Sequence, residues 1–174
     1  QNDARAAMIA EGGTMDNACY LTGRTFERPA PGVESVTGDY EFAQCQGLYR
    51  DVIEQFGVTN VTTNDGFATA TFVLVGGSVA GTLDDWGLAE NSDAAEELTQ
   101  AKEHCENADW ADFAAEYSWV PQQFLQAQCA NSTYLGTFLF DDKGLGLTAD
   151  QATPAPDADA TWTRGYVLLQ HLNG

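Results

Sequence analysis

Basic residues are scarce in this sequence. Seven Lys and Arg residues stand against 26 Asp and Glu residues in a chain of 174, which gives a formal net charge of −19 at pH 7. A field of that sign repels the phosphates of nucleic acids and of anionic lipids. We therefore expect no nucleic-acid partner and no membrane partner. The acidic surface is explained either by solubility or by capture of a cation or a basic partner.

Residues and motifs for catalysis are also few. The chain has two histidines, His104 between acidic neighbours and His171 near the C-terminus, and it has no Gly-x-Ser-x-Gly turn for a nucleophilic serine. Its paired glycines lack the lysine of a phosphate loop, and its acidic turns do not complete a calcium-loop pattern. We predict no catalytic residue, no metal site and no cofactor, and we favour a protein that is not an enzyme.

Long apolar runs are absent as well, because no apolar run approaches the roughly 18 residues of a membrane-spanning helix. The chain begins with Gln1 rather than Met, as expected of a mature chain whose signal peptide has been removed. We expect a soluble, secreted protein that is extracellular, or periplasmic in a bacterium. Sequons at Asn60 and Asn131 fit a secreted glycoprotein, although about one sequon is expected by chance.

Four cysteines are present, and none lies in a Cys-x-x-Cys spacing or beside a zinc-binding histidine cluster. An even set in a secreted chain favours disulfides. We predict the pairs Cys19–Cys45 and Cys105–Cys129, because each closes a local loop and stabilises the fold by roughly 3 kcal/mol. The alternative is a cytosolic protein with four reduced, buried thiols.

Hydrophobic residues make up 44% of the chain and aromatic residues 11%, which is typical of a globular protein. The length predicts a single domain over residues 1–174. Helical spacing of apolar residues predicts helices at 3–11 and 39–56, and a helical block after Asn91 with a break near Asn107. In that block we expect Leu98, Ala101 and Cys105 on one face. Two further helices are expected, marked by these inward residues: Trp110, Phe113 and Tyr117, then Phe124, Leu125 and Cys129.

Two hairpin patterns and one further strand complete the prediction. The first hairpin pairs residues 67–75 with 78–83 across Gly76–Gly77, and the second pairs 133–140 with 145–148 across a turn that contains Gly144. The last strand spans 161–172, after a surface loop over 149–160. We therefore predict an α+β fold, with an antiparallel sheet of five or six strands packed against helices and stabilised by disulfides.

Two groups of residues are candidates for ligand binding. Asp84, Asp85 and Trp86 place carboxylates beside an indole that can stack on a sugar ring, although a turn that covers the core edge also explains them. The strands predicted around 134–140 and 165–169 are apolar on both faces, so their rings can line a pocket for a small apolar ligand. The rings in question are Tyr134, Phe138 and Tyr166. A covering helix, loop or partner subunit is the alternative.

These patterns favour a secreted, non-catalytic binding or interaction protein. Its partner would be a small ligand, a carbohydrate or another protein, with a homo-oligomer as a further option. A small hydrolase that uses two carboxylates, acting for example on carbohydrate, is the first alternative. A structural subunit of an extracellular assembly is the second.

Overall fold

The computed structural model describes residues 13–27, 33–57, 72–75 and 94–155. Five strands and five helices lie in these ranges. The strands are β1 (Gly13–Asn17), β2 (Thr25–Glu27), β3 (Val33–Gly38), β4 (Phe72–Val75) and β5 (Ala152–Ala155). The helices are α1 (Phe42–Gln55), α2 (Ala94–Asn107), α3 (Trp110–Glu116), α4 (Gln122–Leu125) and α5 (Gln128–Phe140). A short 3-10 helix, Ala149–Gln151, precedes β5.

The described strands form two small sheets. In the first, the order is β1-β3-β2, with β3 parallel to β1 and antiparallel to β2. In the second, β4 and β5 pair in parallel, with Phe72 opposite Ala152. The predicted antiparallel sheet of five or six strands is therefore wrong. Helices hold most of the regular structure that the described ranges contain, and antiparallel pairing there is limited to β2 and β3.

The largest error concerns residues 133–140, which belong to helix α5 and not to a hairpin strand. An apolar run without polar alternation is typical of a buried strand and of a buried helix alike. Eight of the 13 residues of α5 are buried, because the helix packs against both α1 and α2. A helix covered on two sides has no polar face, so the alternation of apolar and polar residues in its sequence shows no helical period.

The turn predicted after this segment exists, but it returns the chain onto the end of a helix. The backbone N–H groups of Leu145 and Leu147 donate to the carbonyls of Phe138 and Leu139, each at 2.8 Å. These bonds satisfy carbonyls that the last turn of a helix leaves unpaired. Gly144 is required because a Cβ atom there would overlap the Phe138 carbonyl. Residues 145–148 therefore cap α5 and form no strand.

Helix α1 confirms the prediction for 39–56 with small shifts at its ends. The Glu41 carboxylate accepts bonds from the N–H groups of Ala43 and Gln44, so the helix begins at Phe42. Cys45, Tyr49 and Ile53 face inward. Phe56, directly after the helix, is 74% exposed. Gly57 follows with a positive φ of 67° that favours glycine and ends the helix.

Helices α2, α3 and α4 confirm the predicted helical block and its break at Asn107. As predicted, one face of α2 is buried through Leu98, Ala101 and Cys105. Phe113, Tyr117, Leu125 and Cys129 join this core as expected, and Trp110 packs partly against it. Phe124 does not, because it is 56% exposed.

The remaining predicted segments are only partly described. Strand β4 confirms an extended segment at 72–75, and its partner is β5. Residues 149–155, expected in a loop, form the 3-10 helix and β5 instead. The helix predicted at 3–11, most of the first hairpin and the strand predicted at 161–172 lie outside the described residues.

Both predicted disulfides are present. Cys19, in the turn after β1, is bonded to Cys45 on α1, and Cys105 on α2 is bonded to Cys129 on α5. All four cysteines are buried, and none of them is free. Each crosslink therefore lies inside a packed core, where it joins helices or loops that already contact one another.

Arg24 links the first sheet to the helices through side-chain contacts. Its guanidinium carbon lies 4.8 Å from the Phe26 ring centroid and 4.6 Å from that of Trp110. The same group donates a hydrogen bond of 2.9 Å to Gln126. A planar cation held between two rings suits arginine and not lysine.

We therefore predict that Arg24→Lys lowers the free energy of unfolding by about 1–3 kcal/mol, since stacking and the bond to Gln126 are both lost. Urea denaturation at neutral pH measures this change. Arg50→Lys is the matched control, because Arg50 pairs with Asp141 and Asp142 at the surface and should lose less. Equal losses for the two variants would contradict a special role for the stacked guanidinium.

Candidate functional site

An open groove lies between helices α2 and α5, with Phe42 of α1 at one end. It encloses about 200 Å³, and we call it the α2–α5 groove. From α2 and α1 it is lined by Phe42, Ala95, Leu98, Thr99 and Lys102. From α5 it is lined by Ser132, Thr133, Gly136 and Phe140. The lining residues of α2 recur at three- and four-residue intervals, and so do those of α5. Each of these two helices therefore presents one continuous face to the groove.

Gly136 explains why two packed helices leave this space. A Cβ atom built at Gly136 would meet no atom within 4 Å, although the residue lies in the middle of α5. Glycine inside a helix is destabilising relative to alanine by roughly 0.5–1 kcal/mol. Glycine at this position therefore lowers the stability of the helix. It also leaves the groove open at the point where a side chain would project.

The hydroxyl groups along the groove bond to the helices that carry them. The Thr99 hydroxyl donates to the Ala95 carbonyl at 2.8 Å. The Ser132 and Thr133 hydroxyls donate to the Cys129 carbonyl at 3.1 and 2.8 Å. A hydroxyl has a single hydrogen, so while these bonds are formed the three oxygens face a ligand as acceptors.

Tyr40 completes this network beneath the groove. Its phenolic oxygen lies 2.8 Å from the Thr133 hydroxyl oxygen. Either hydroxyl could donate in this contact, but both bonds form together when Thr133 donates to the Cys129 carbonyl and the tyrosine donates to Thr133. Burial raises the pKa of Tyr40 to about 12, so the phenol keeps its proton at physiological pH.

Lys102 is the cationic residue of the groove. Its Nζ atom lies 2.7 Å from a carboxylate oxygen of Glu106, one helical turn away, and 4.9 Å from the Phe42 ring centroid. The ammonium group is thus held from two sides, and its side chain remains 34% exposed. An ammonium has three N–H donors, and the bond to Glu106 uses one of them.

The predicted ligand-binding residues do not meet at the groove. Tyr134 and Phe138 lie one turn apart on α5, with stacked rings whose centroids are 5.7 Å apart. They pack beside the hydrophobic core, and Tyr134 also contacts the Tyr49 ring at 5.3 Å. Neither is among the residues that line the groove. The other predicted residues, Asp84, Asp85, Trp86 and Tyr166, lie outside the described residues.

Of the two predicted glycosylation sites, Asn60 lies outside the described residues. Asn131 lies in the first turns of α5, and the Thr133 of its sequon is buried and bonded to Tyr40 and Cys129. The folded chain therefore gives no access to that threonine. Glycosylation at either position stays a prediction.

His104 packs beside two aromatic rings, and its side chain remains 32% exposed. Its ring centroid lies 5.3 Å from that of Phe113 and 5.5 Å from that of Tyr117, and Nε2 is 3.7 Å from a Glu116 oxygen. This environment is structural. Within the described ranges, His, Cys, Asp and Glu do not gather into a group that could hold a metal ion.

Sequence reasoning missed the groove because residues 133–140 were assigned to a strand. Alternation in a strand would place Thr133 and Gly136 on opposite faces, whereas the helix places them on one. One signal was available: Ser132, Thr133, Gly136 and Phe140 follow helical spacing and include the small residues of the segment. Lys102 also follows helical spacing, because it lies four residues after Leu98 on α2.

No model of a known protein family matches the chain, and no curated protein matches it. A hypothesis about function therefore rests on the chemistry of the groove.

Tyr40 gives a pH-dependent prediction. Its pKa rises from 10.0 in the unfolded chain to about 12 in the fold, so its contribution to stability is complete below pH 10 and is lost as pH rises toward 12. We expect the free energy of unfolding to fall by at most about 2–3 kcal/mol over that interval. Urea denaturation at pH values from 7 to 11.5 measures it.

The matched variant is Tyr40→Phe. It should be less stable by about 1–2 kcal/mol at pH 7, because the Thr133 oxygen loses its donor, and its stability should decline less above pH 10. Tyr117 and Tyr134, whose pKa values burial also raises, are present in both proteins, so the difference isolates Tyr40. Parallel declines in the two proteins would show that Tyr40 does not titrate in this way.

Proposed function

We propose that this is a secreted, non-catalytic binding protein that takes a small ligand with an apolar body in the α2–α5 groove. The observation that carries the proposal is an open groove lined by Phe42, Leu98 and Phe140. The hydroxyl groups that also line this groove already bond to backbone. Such a surface favours apolar contact and offers few groups for chemistry.

The size of the groove limits the ligand. A volume of about 200 Å³ lies below the roughly 300–1,000 Å³ of sites for drug-sized molecules. A water molecule takes about 30 Å³ in the liquid, so the groove fits a molecule of roughly seven to ten non-hydrogen atoms. For so few atoms, affinities from roughly micromolar to millimolar are expected.

The disulfides support the proposal of a secreted protein. The two disulfides are those expected of a chain that folds in an oxidising compartment. In the ranges that the structure covers, no helix has the length and apolar character to cross a membrane. Glycosylation and export stay part of the proposal.

A blocking variant tests the proposal. Gly136→Leu places a side chain in the groove without meeting backbone, and leucine is a good helix former. We expect six-carbon probes such as hexan-1-ol to shift the amide resonances of Gly136 and Thr99 in the wild-type protein. In Gly136→Leu, the shift of the remaining groove resonances should fall at least about tenfold, because the leucine fills the ligand's space.

Gly47→Leu is the matched control. Gly47 also lies within a helix, α1, and an added Cβ there likewise meets no atom within 4 Å, but Gly47 does not line the groove. Probe binding should be unchanged in this variant. If no apolar probe shifts the groove resonances of the wild type, or if both leucine variants bind equally, the proposal is wrong.

A subunit of an extracellular assembly is the second candidate function. Trp119 is 68% exposed and Phe124 is 56% exposed, and both lie in the segment between Cys105 and Cys129. Exposed aromatic rings are enriched at protein interfaces. On this hypothesis the protein self-associates in analytical ultracentrifugation, and Trp119→Ser with Phe124→Ser makes it monomeric. A wild-type monomer across the concentration range would exclude homo-assembly.

A further inference from the structure

We infer that the ligand of the α2–α5 groove carries a carboxylate or a similar anionic acceptor on a short apolar body, and that Lys102 is its anchor. This inference rests on the proposed function and adds the chemical class of the ligand. It runs against the overall charge of the protein, because a field of −19 would favour a cation in solution. The local chemistry of the groove decides otherwise.

The first step concerns the polar groups that line the groove. The hydrogens of Thr99, Ser132 and Thr133 all point to backbone carbonyls of their own helices. The side-chain donor left among the lining residues is the Lys102 ammonium. A ligand whose polar end is a donor would find one weak class of partner, the hydroxyl oxygens. A ligand whose polar end accepts hydrogen bonds finds a charged donor.

The second step concerns where the cation is held. Four Lys and Arg residues lie in the described ranges, and each has a partner. Arg24 lies over two rings, while Arg50 and Lys143 bind acidic residues and so link α1 to the end of α5. Lys102 differs because the Phe42 ring beneath its ammonium is itself a wall of the groove. Its charge is therefore placed at the apolar surface that the ligand body would cover.

The third step concerns Glu106, which competes for the same ammonium. It lies on the same helix, and its side chain is 36% exposed. Exposed pairs of this kind contribute little, so a ligand carboxylate held by apolar contacts can share or displace the glutamate. Glu106 thus limits the affinity without preventing binding.

Three probes with the same six-carbon body separate the anchor from the groove. Hexanoate, hexan-1-ol and hexylamine carry an anionic, a neutral and a cationic end. We expect hexanoate to bind the wild-type protein at least about tenfold more tightly than hexan-1-ol, with hexylamine weakest. Titration followed by the amide shifts of Gly136 and Thr99 gives each dissociation constant.

Variants at two positions complete the test. Lys102→Met keeps the apolar stem and should abolish the preference for hexanoate over hexan-1-ol, whereas Lys102→Arg should retain most of it. Glu106→Gln removes the competing carboxylate and should tighten hexanoate binding several-fold, a gain that a merely destabilised protein would not show. Thermal melts confirm that each variant is folded.

The outcomes distinguish the two proposals. If hexan-1-ol binds as well as hexanoate, or if Lys102→Met keeps the preference, the anchor is wrong while the groove stands as a binding site. If hexylamine binds most tightly, the overall field outweighs Lys102 and the ligand class is wrong. If no probe shifts the groove resonances, both the ligand class and the proposed function fail.

Discussion

The burial of helix α5 is the constraint on which the rest of the described structure depends. This helix packs against α1 and α2, carries Cys129, and is covered at its end by the returning chain at Leu145 and Leu147. A helix enclosed in this way cannot leave polar groups unpaired. That requirement explains why its hydroxyl groups bond to its own carbonyls and why the buried Tyr40 phenol donates to Thr133.

Under the proposed function, the same constraint determines which ligands the groove accepts. The Ser132 and Thr133 hydroxyl hydrogens bond to a carbonyl of α5, because the helix is buried away from water. In that arrangement they are not offered to a ligand. A single glycine, Gly136, leaves room on a helix that is otherwise closely packed. The neighbouring helix α2 then contributes the one feature that α5 lacks, a charged donor at Lys102. Under the proposed function, stability and ligand recognition are thus divided between two helices.

The elements that could be predicted are those with one polar face and one apolar face. Helix α1 and the buried face of α2 followed from residues such as Cys45, Tyr49 and Leu98, because solvent-facing positions between them are polar. Local spacing also gave the disulfide pairs. Helix α5 could not be distinguished from a strand, since apolar character on all sides removes the period that separates the two. Because α5 was predicted as a strand, the groove could not be predicted. Lys102 lines a groove only when Gly136 and Phe140 face it from a neighbouring helix.

The disulfide between Cys105 and Cys129 has a consequence for how this chain can diverge in evolution. The two half-cystines are 24 residues apart in sequence, and the crosslink fixes both ends of the segment that holds α3 and α4. Closing a longer loop costs only about 0.6 kcal/mol for each doubling of its length. Provided that Phe113, Tyr117 and Leu125 keep their places in the core, insertions and surface substitutions in this segment would leave α2 and α5 aligned. Homologues should therefore vary most in length between these two cysteines, while the helices on either side keep theirs.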